Sequence, residues 1–295
     1  MTRWLLALFC ALSMIAAHAE IAVTDDSGIT LRLVAPARRI VSLAPHITEA
    51  LFAAGAGERL VGAVEYSDYP DAAKAIRRVG GYSRVDLEAV VALKPDLVIG
   101  WQSGNAAAQL EKLKALGLPL YVTQPNRIDD IARSIENYGR LAGTEAAAGV
   151  AAQRFRARLG QLRGRTEGRP PVRVFYQVWK SPLTTVSGKQ IISDAIRLCG
   201  GVNVFADLAV LAPNVSVEAV LAADPEAIVA SGMDEQRPEW LDDWRRWTRM
   251  SAVARDNLFF IPPDLIQRHP PRLLDGIERL CAHLETARGR RPKPP

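Results

Sequence analysis

Residues 87–101 read LEAVVALKPDLVIGW, and residues 217–231 read VEAVLAADPEAIVAS. Each opens on an apolar residue followed by Glu, runs through an Ala/Val/Leu stretch, turns at a proline and ends in an apolar run. The spacing before the proline predicts a short helix, and the run after it predicts a buried strand. Any α/β fold reuses such a unit, which accounts for the Ala, Val and Pro. Glu88 and Glu218 are different: they keep the same place near two helix starts, where they should face solvent. The helix dipole favours acid there, and for each residue singly that is the plain alternative to a function.

Upstream of the first unit, IAVTDDSGITLRL alternates around Asp25-Asp26-Ser27-Gly28 and predicts a β-hairpin. RRIVSLAP then reads as strand, HITEALFAAGAG as helix stopped at Gly55 and Gly57, and LVGAVE as strand. Downstream, AAAQLEKLKALG is helix, LPLYVT strand, and IDDIARSIENYGRLAG a helix with Ile128, Ile131, Ile135, Tyr138 and Leu141 on one face. TEAAAGVAAQRFRARLGQLRGR predicts a helix of roughly 30 Å with Thr144 as N-cap. After GRPP the alternation restarts: RVFYQVW strand, QIISDAIRLCGG helix, the second unit, NLFFIP strand and RLLDGIERLCAHLETA helix. This is an α/β chain of two lobes, each with a mainly parallel sheet, separated by one long rigid helix. The divisions are 1–19, a signal peptide; 20–143, an N-terminal lobe; 144–165, the interlobe helix; 166–288, a C-terminal lobe; and 289–295, a basic Pro-rich tail.

The first nineteen residues predict export. Arg3 gives the positive start, Leu5 to Ala17 the apolar middle and Ala17-His18-Ala19 the cleavage signal, leaving Glu20 as the first mature residue. Phe9 before Cys10 argues against lipoprotein processing. Cys199 and Cys281 are then the only mature thiols; an oxidising compartment favours pairing them, the alternative being two buried free thiols. The formal charge of +5 is dispersed, with much of it in the tail and around Arg154–Arg169. Nucleic-acid binding would need a basic stripe interleaved with stacking aromatics, and none is seen.

Catalytic signatures are absent: no Gly-rich phosphate loop, no G-x-S-x-G elbow and no H-E-x-x-H. His46, His269 and His283 lack close metal-binding spacing. His46 and His269 do follow strand ends, where open α/β sheets place ligands, so a two-histidine site across the lobes stays open. Tyr66, Tyr82, Trp101 and Trp179 fall at strand ends or in adjoining loops and could line a concave site for a large, partly apolar ligand. Trp240, Trp244 and Trp247 have helical spacing and read as packing.

The order RRIVSLAPHITEALFAAGAGERLVG, EYSDYP, DLEAVVALKPDLVIGW, VFYQVW, VSGKQIISDAIRLCGGVNVF and VSVEAVLAADPEAIV resembles the periplasmic cobalamin-binding proteins of ABC importers. These belong to the class III, helical-backbone substrate-binding protein superfamily. The resemblance covers residues 39–284. It implies two Rossmann-like lobes bridged by a helix, with the ligand in the cleft between them. It implies cobalamin or a related corrinoid as cargo, no catalysis, and delivery to a permease homodimer with its ATPase subunits by a binder that is monomeric when free. Residue by residue it implies ligand contacts from Tyr66, Trp101 and the stretch Asp264, Leu265, Ile266, Gln267 and Arg268, a disulfide between Cys199 and Cys281, and docking of Glu88 and Glu218 on permease arginines. Arg268 and the backbone of 264–267 would bond the ligand's amides. The family's aromatics are replaced here at Tyr82, Thr185, Ala212 and Leu265, with Trp179 restoring apolar surface nearby. Haem or a ferric siderophore would suit the same architecture. An exported metal-dependent enzyme would need a carboxylate and histidine cluster that the sequence lacks.

Overall fold

The computed structural model describes residues 20–232 and 235–292; the proposed signal peptide and the last three tail residues lie outside them. The repeated unit is built twice on the same plan. Helix α2 (Leu87–Ala92) is capped by Asp86, whose carboxylate accepts the Ala89 N–H at 3.0 Å. Helix α7 (Val217–Ala223) is capped by Ser216, whose hydroxyl accepts the Ala219 N–H at 3.1 Å. Val90 and Val220, at equivalent positions, are completely buried. Each helix ends in a residue with left-handed φ just before the proline, Lys94 at 45° and Asp224 at 37°. Neither is glycine, so each turn needs outside support. Asp224 receives the N–H and hydroxyl of Ser251 at 2.7 and 2.8 Å, and the Leu93 and Lys94 carbonyls receive the Arg39 guanidinium. Strands β7 (Leu97–Trp101) and β11 (Ala227–Ala230) follow.

In chain order the remaining elements are β1 (Ile21–Thr24), β2 (Thr30–Leu33), β3 (Ile40–Ser42), α1 (Pro45–Ala53), β4 (Leu60–Ala63), β5 (Gly80–Gly81), β6 (Arg84–Val85), α3 (Ala107–Ala115), β8 (Leu120–Thr123), α4 (Ile128–Ala142) and α5 (Glu145–Thr166). Beyond α5 come β9 (Val172–Gln177), α6 (Ile191–Leu198), β10 (Gly201–Asn203), α8 (Ser251–Ala254), β12 (Leu258–Phe260), α9 (Pro263–Ile266) and α10 (Leu273–Gly289). They form two four-stranded parallel sheets, ordered β4-β3-β7-β8 before α5 and β10-β9-β11-β12 after it. All four residues of β11 are buried, as are the first four of β7, the pattern of strands covered on both faces. The expected hairpin is β1–β2, and the Asp25 carboxylate holds its turn by accepting the N–H groups of Ser27 and Ile29. The two-residue ribbon β5–β6 and strand β10 are additions to the pattern read from the sequence.

Helix α5 buries Ala148, Ala152, Phe155, Leu159 and Leu162, a helical stripe. A Cβ on Gly139 of α4 would lie 2.3 Å from that of Ala148, so the two helices touch where both side chains are small. Arg156 and Arg163 of α5 pair with Glu136 and Asp129 of α4, while Arg158 pairs with Asp275 and Glu278 of α10. These pairs are half-exposed and each contributes about 1 kcal/mol or less. The expected cap at Thr144 is not made: its hydroxyl is buried without a hydrogen bond, the residue packing beside the Gly55 turn. One apolar core runs from Ile40, Ile47 and Tyr138 through Phe155 and Leu159 to Val174, Ile192 and Leu280, thus through both lobes. Cys199, at the end of α6, is bonded to Cys281 of α10, 82 residues on. Chain entropy gives such a closure about 4.5 kcal/mol. Trp244 packs edge-on against Phe175, and its indole N–H donates to Gln177 at 2.7 Å, so the tryptophans at 240, 244 and 247 cover the second sheet as expected.

Candidate functional site

The carboxyl ends of both sheets meet at one face. Trp101 ends β7, His46 opens α1 after β3, and His269 follows β12 and α9. Their rings form a cluster: His46 to Trp101 5.0 Å, His46 to His269 5.3 Å, Trp101 to His269 6.1 Å and Tyr82 to Trp101 6.0 Å between centroids. Asn105, buried and not anticipated, fixes the loop around it. Its side-chain oxygen accepts the Trp101 N–H at 2.6 Å, and its amide donates to the carbonyls of Leu43 and Tyr82. A Cβ on Gly104 would fall 1.8 Å from the indole, so a residue without one is required under Trp101.

The cluster is buried and incompletely bonded to the protein around it. His46 Nε2, both ring nitrogens of His269 and the Trp101 Nε1 are buried with no hydrogen-bond partner. Burial pushes both imidazoles below their ordinary range, His269 to about 4, and the fields of His269 and Arg268 add to the effect at His46. In the unfolded chain the rings titrate near 6.5. Stability is therefore whole above that pH and is lost as pH falls toward 4, where the native His269 also takes a proton. His269 alone accounts for about 3 kcal/mol of that loss. Urea unfolding at pH 7 and pH 4.5 should show His269→Leu losing correspondingly less than the parent; equal losses would contradict this.

A charged frame borders the cluster. Glu49 of α1, buried, accepts two hydrogen bonds from Arg272 at 2.6 and 2.9 Å, and Arg268 lies 3.8 Å away. Burial raises the Glu49 carboxyl above its usual range, against the pull of the guanidinia. Arg272 also stacks on Tyr69 at 4.1 Å. These contacts join the first lobe to the second.

The same contacts fix the segment 264–268, expected from the resemblance to touch the ligand. The Arg268 guanidinium bonds Asp264 at 2.8 Å, so in this structure both groups are engaged with one another. Ile266 is completely buried and Leu265 packs on the core. The N–H groups of Leu265 and Gln267 are spent on the carbonyls of Pro262 and Pro263, because the stretch folds as α9. The Gln267 amide donates to Ser231 and to the Gly232 carbonyl.

Further polar groups line a cavity of about 640 Å³ built from both lobes by Gln102, Gln124, Asn126, Arg127 and Lys189, the Gln124 amide donating to Asn126 and its oxygen accepting the Ser103 N–H. It joins a cavity of about 200 Å³ that carries Trp101, Gln190 and His269 on its wall, Ser103, Gln124, Asn126 and Leu211 being common to both. The buried Asp194 of α6 accepts the Ile128 N–H at the start of α4 at 3.0 Å, a second tie between the lobes.

Of the other expected residues, Tyr66 is 62% exposed and has φ 63°, a left-handed value uncommon for an aromatic residue and a frequent mark of a functional loop. Trp179 is exposed and packs on Trp240 at 6.5 Å, not on the central cluster. Thr185 is buried, bonding the Tyr176 carbonyl, while Ala212 reaches the smaller cavity. Glu88 and Glu218 are both exposed. The Glu218 carboxyl is held below its usual range by a backbone N–H at its helix start and by the Ser216 hydroxyl. Among the described residues no group of three or more His, Cys, Asp or Glu could hold a metal ion.

Comparison with known proteins follows this geometry. Residues 40–265 match a family model described as periplasmic binding protein. The vitamin B12-binding protein of Vibrio cholerae serotype O1 is 40% identical over 253 residues, 85% of this chain and 91% of that one. Its counterpart in Yersinia pestis is 36% identical over 248 residues, 84% and 86% of the two chains. The crystal structure of the periplasmic vitamin B12 binding protein BtuF of Vibrio cholerae superposes with a TM-score of 0.80 at 39% identity, covering 86% of this chain and 98% of that one. The periplasmic heme-binding protein RhuT of Roseiflexus sp. RS-1, 24% identical with a TM-score of 0.72 over 85% and 99% of the two chains, shares the fold.

Proposed function

The chain belongs to the periplasmic binding protein family, and from that membership we propose that it captures vitamin B12 or a related corrinoid and hands it to an ABC importer. The observation that carries this is the match along nearly the whole chain to vitamin B12-binding relatives. The site agrees in chemistry. A corrinoid is a flat macrocycle with apolar faces and an amide-rich edge. The rings of Tyr82 and Trp101 beside the amides of Gln102, Gln124 and Asn126 suit both parts of it. Tyr66 and Trp179, both exposed, would offer further apolar surface to the bound macrocycle.

Binding is the whole of the activity; no step of chemistry is assigned. The signal segment at 1–19 delivers the chain to the periplasm, where Glu88 and Glu218 dock on a permease of two identical subunits. Titration with cyanocobalamin, haem and a ferric hydroxamate siderophore, followed by absorbance and calorimetry, tests the reading. Saturable one-to-one binding is expected for the corrinoid only. Trp101→Ala should weaken it at least about tenfold, the loss of roughly 1.5–3 kcal/mol of apolar burial. Binding of haem in preference to the corrinoid would overturn the proposal.

A further inference from the structure

Three cations and no carboxylate line the cavity of about 640 Å³ between the lobes: Arg127 from the first lobe, Lys189 and Arg197 from the second. The acids around them have other duties. Asp194, 3.0 Å from Arg197, is largely buried and also accepts the Ile128 N–H. Asp129 pairs with Arg163, and Asp130 with Arg133 and the N–H groups of Asn126 and Arg127. Among the described residues no acid lies within salt-bridge distance of Arg127 or Lys189. Arg197 is therefore balanced, while one cation from each lobe is not. Like charges brought to one cavity repel, and an anion between them turns that repulsion into attraction.

A guanidinium and an ammonium set across a polar cavity suit a phosphate oxygen, which takes charge-assisted hydrogen bonds from both. Cyanocobalamin has a single anionic group, the phosphodiester of its nucleotide loop; the groups on its macrocycle edge are amides. Cobinamide is the same macrocycle without the phosphate, sugar and base. We infer that Arg127 and Lys189 bind this phosphodiester and thereby select complete corrinoids over cobinamide, an inference that rests on the corrinoid reading above. The cavity takes the phosphate with its sugar and leaves the macrocycle outside it, against the rings of Tyr82 and Trp101. Continuity of the wall supports this placement. Trp101 borders the smaller cavity, which shares Ser103, Gln124, Asn126 and Leu211 with the larger one.

The test is calorimetric titration of the mature protein with cyanocobalamin and with dicyanocobinamide, in about 0.05 and about 0.5 M sodium chloride. At the lower salt cyanocobalamin should bind at least about tenfold more tightly, and the margin should shrink at the higher salt. Arg127→Gln combined with Lys189→Gln should remove the margin and its salt dependence, while dicyanocobinamide affinity changes by less than about twofold. Both side chains are exposed, and the retained affinity for dicyanocobinamide reports that the fold is intact. Arg197 is left in place because Asp194 beside it also ties the lobes. Equal affinity of the parent for the two ligands overturns the inference and leaves the corrinoid reading standing. A margin that survives the double variant belongs to the sugar and base, and overturns it too. Failure of both ligands to bind removes both readings.

Discussion

Glu49→Ala is expected to lower the unfolding free energy by about 3–5 kcal/mol, because Glu49 is the buried anion of a charged cluster. The carboxylate has only 2% of its side chain exposed, and Arg272 and Arg268, each 19% exposed, face it. Removing the anion leaves two guanidinia in a largely dry place, with Asp264 the remaining acid beside them at 2.8 Å from Arg268 and 4.0 Å from Arg272. The cost is mostly that of the stranded cations, not the worth of the pair itself. Glu49→Leu combined with Arg272→Met should therefore recover much of the loss, since an apolar pair of similar volume needs no partner. Urea denaturation of the three proteins decides it. A single variant within about 1 kcal/mol of the parent would mean that water reaches the guanidinia freely.

Replacing Glu88 and Glu218 together by alanine should leave corrinoid affinity unaltered and cut transport by at least tenfold. Both acids are exposed, both sit at the second position of a side-chain-capped helix, and each precedes a completely buried valine by two residues. Both are solvent-exposed, so their removal leaves the packed fold untouched. A transport defect could not then be put down to unfolding. Each single variant should retain an intermediate rate, because one half of a two-fold contact survives. The measurement is uptake of labelled cobalamin by the importer reconstituted in vesicles; full uptake by the double variant would remove the docking role.

Both lobes, the hairpin, the two repeated units and the disulfide were legible because each leaves a local mark: alternation, a capping residue, a proline or a pair of exported cysteines. Three kinds of feature left none. Strand β10 is three residues inside LCGGVNVF, and β5–β6 pairs two residues with two, too short for any period to show. That segment 264–268 opens as a helical turn, with the N–H groups of Leu265 and Gln267 on the Pro262 and Pro263 carbonyls, could not be read from the sequence. Glu49 reads as an ordinary helix acid, and its partner lies 223 residues away. Only the fold shows that every residue from Pro45 to Leu51 is buried, which obliges that acid to find a cation. The sequence could place His46 and His269 after strands, but only the fold brings their rings to 5.3 Å.

The single core that passes from Ile47 through Phe155 to Leu280 has a mechanical consequence. It makes the molecule a ruler. The distance between the carboxylates of Glu88 and Glu218 is set by packed side chains and one long helix, and opening the lobes widely would tear that packing. The two acids are thus held at a fixed gauge, to within the give of a close-packed interior. Under the docking proposed above, recognition by span would tell this chain from proteins whose surfaces are merely as acidic.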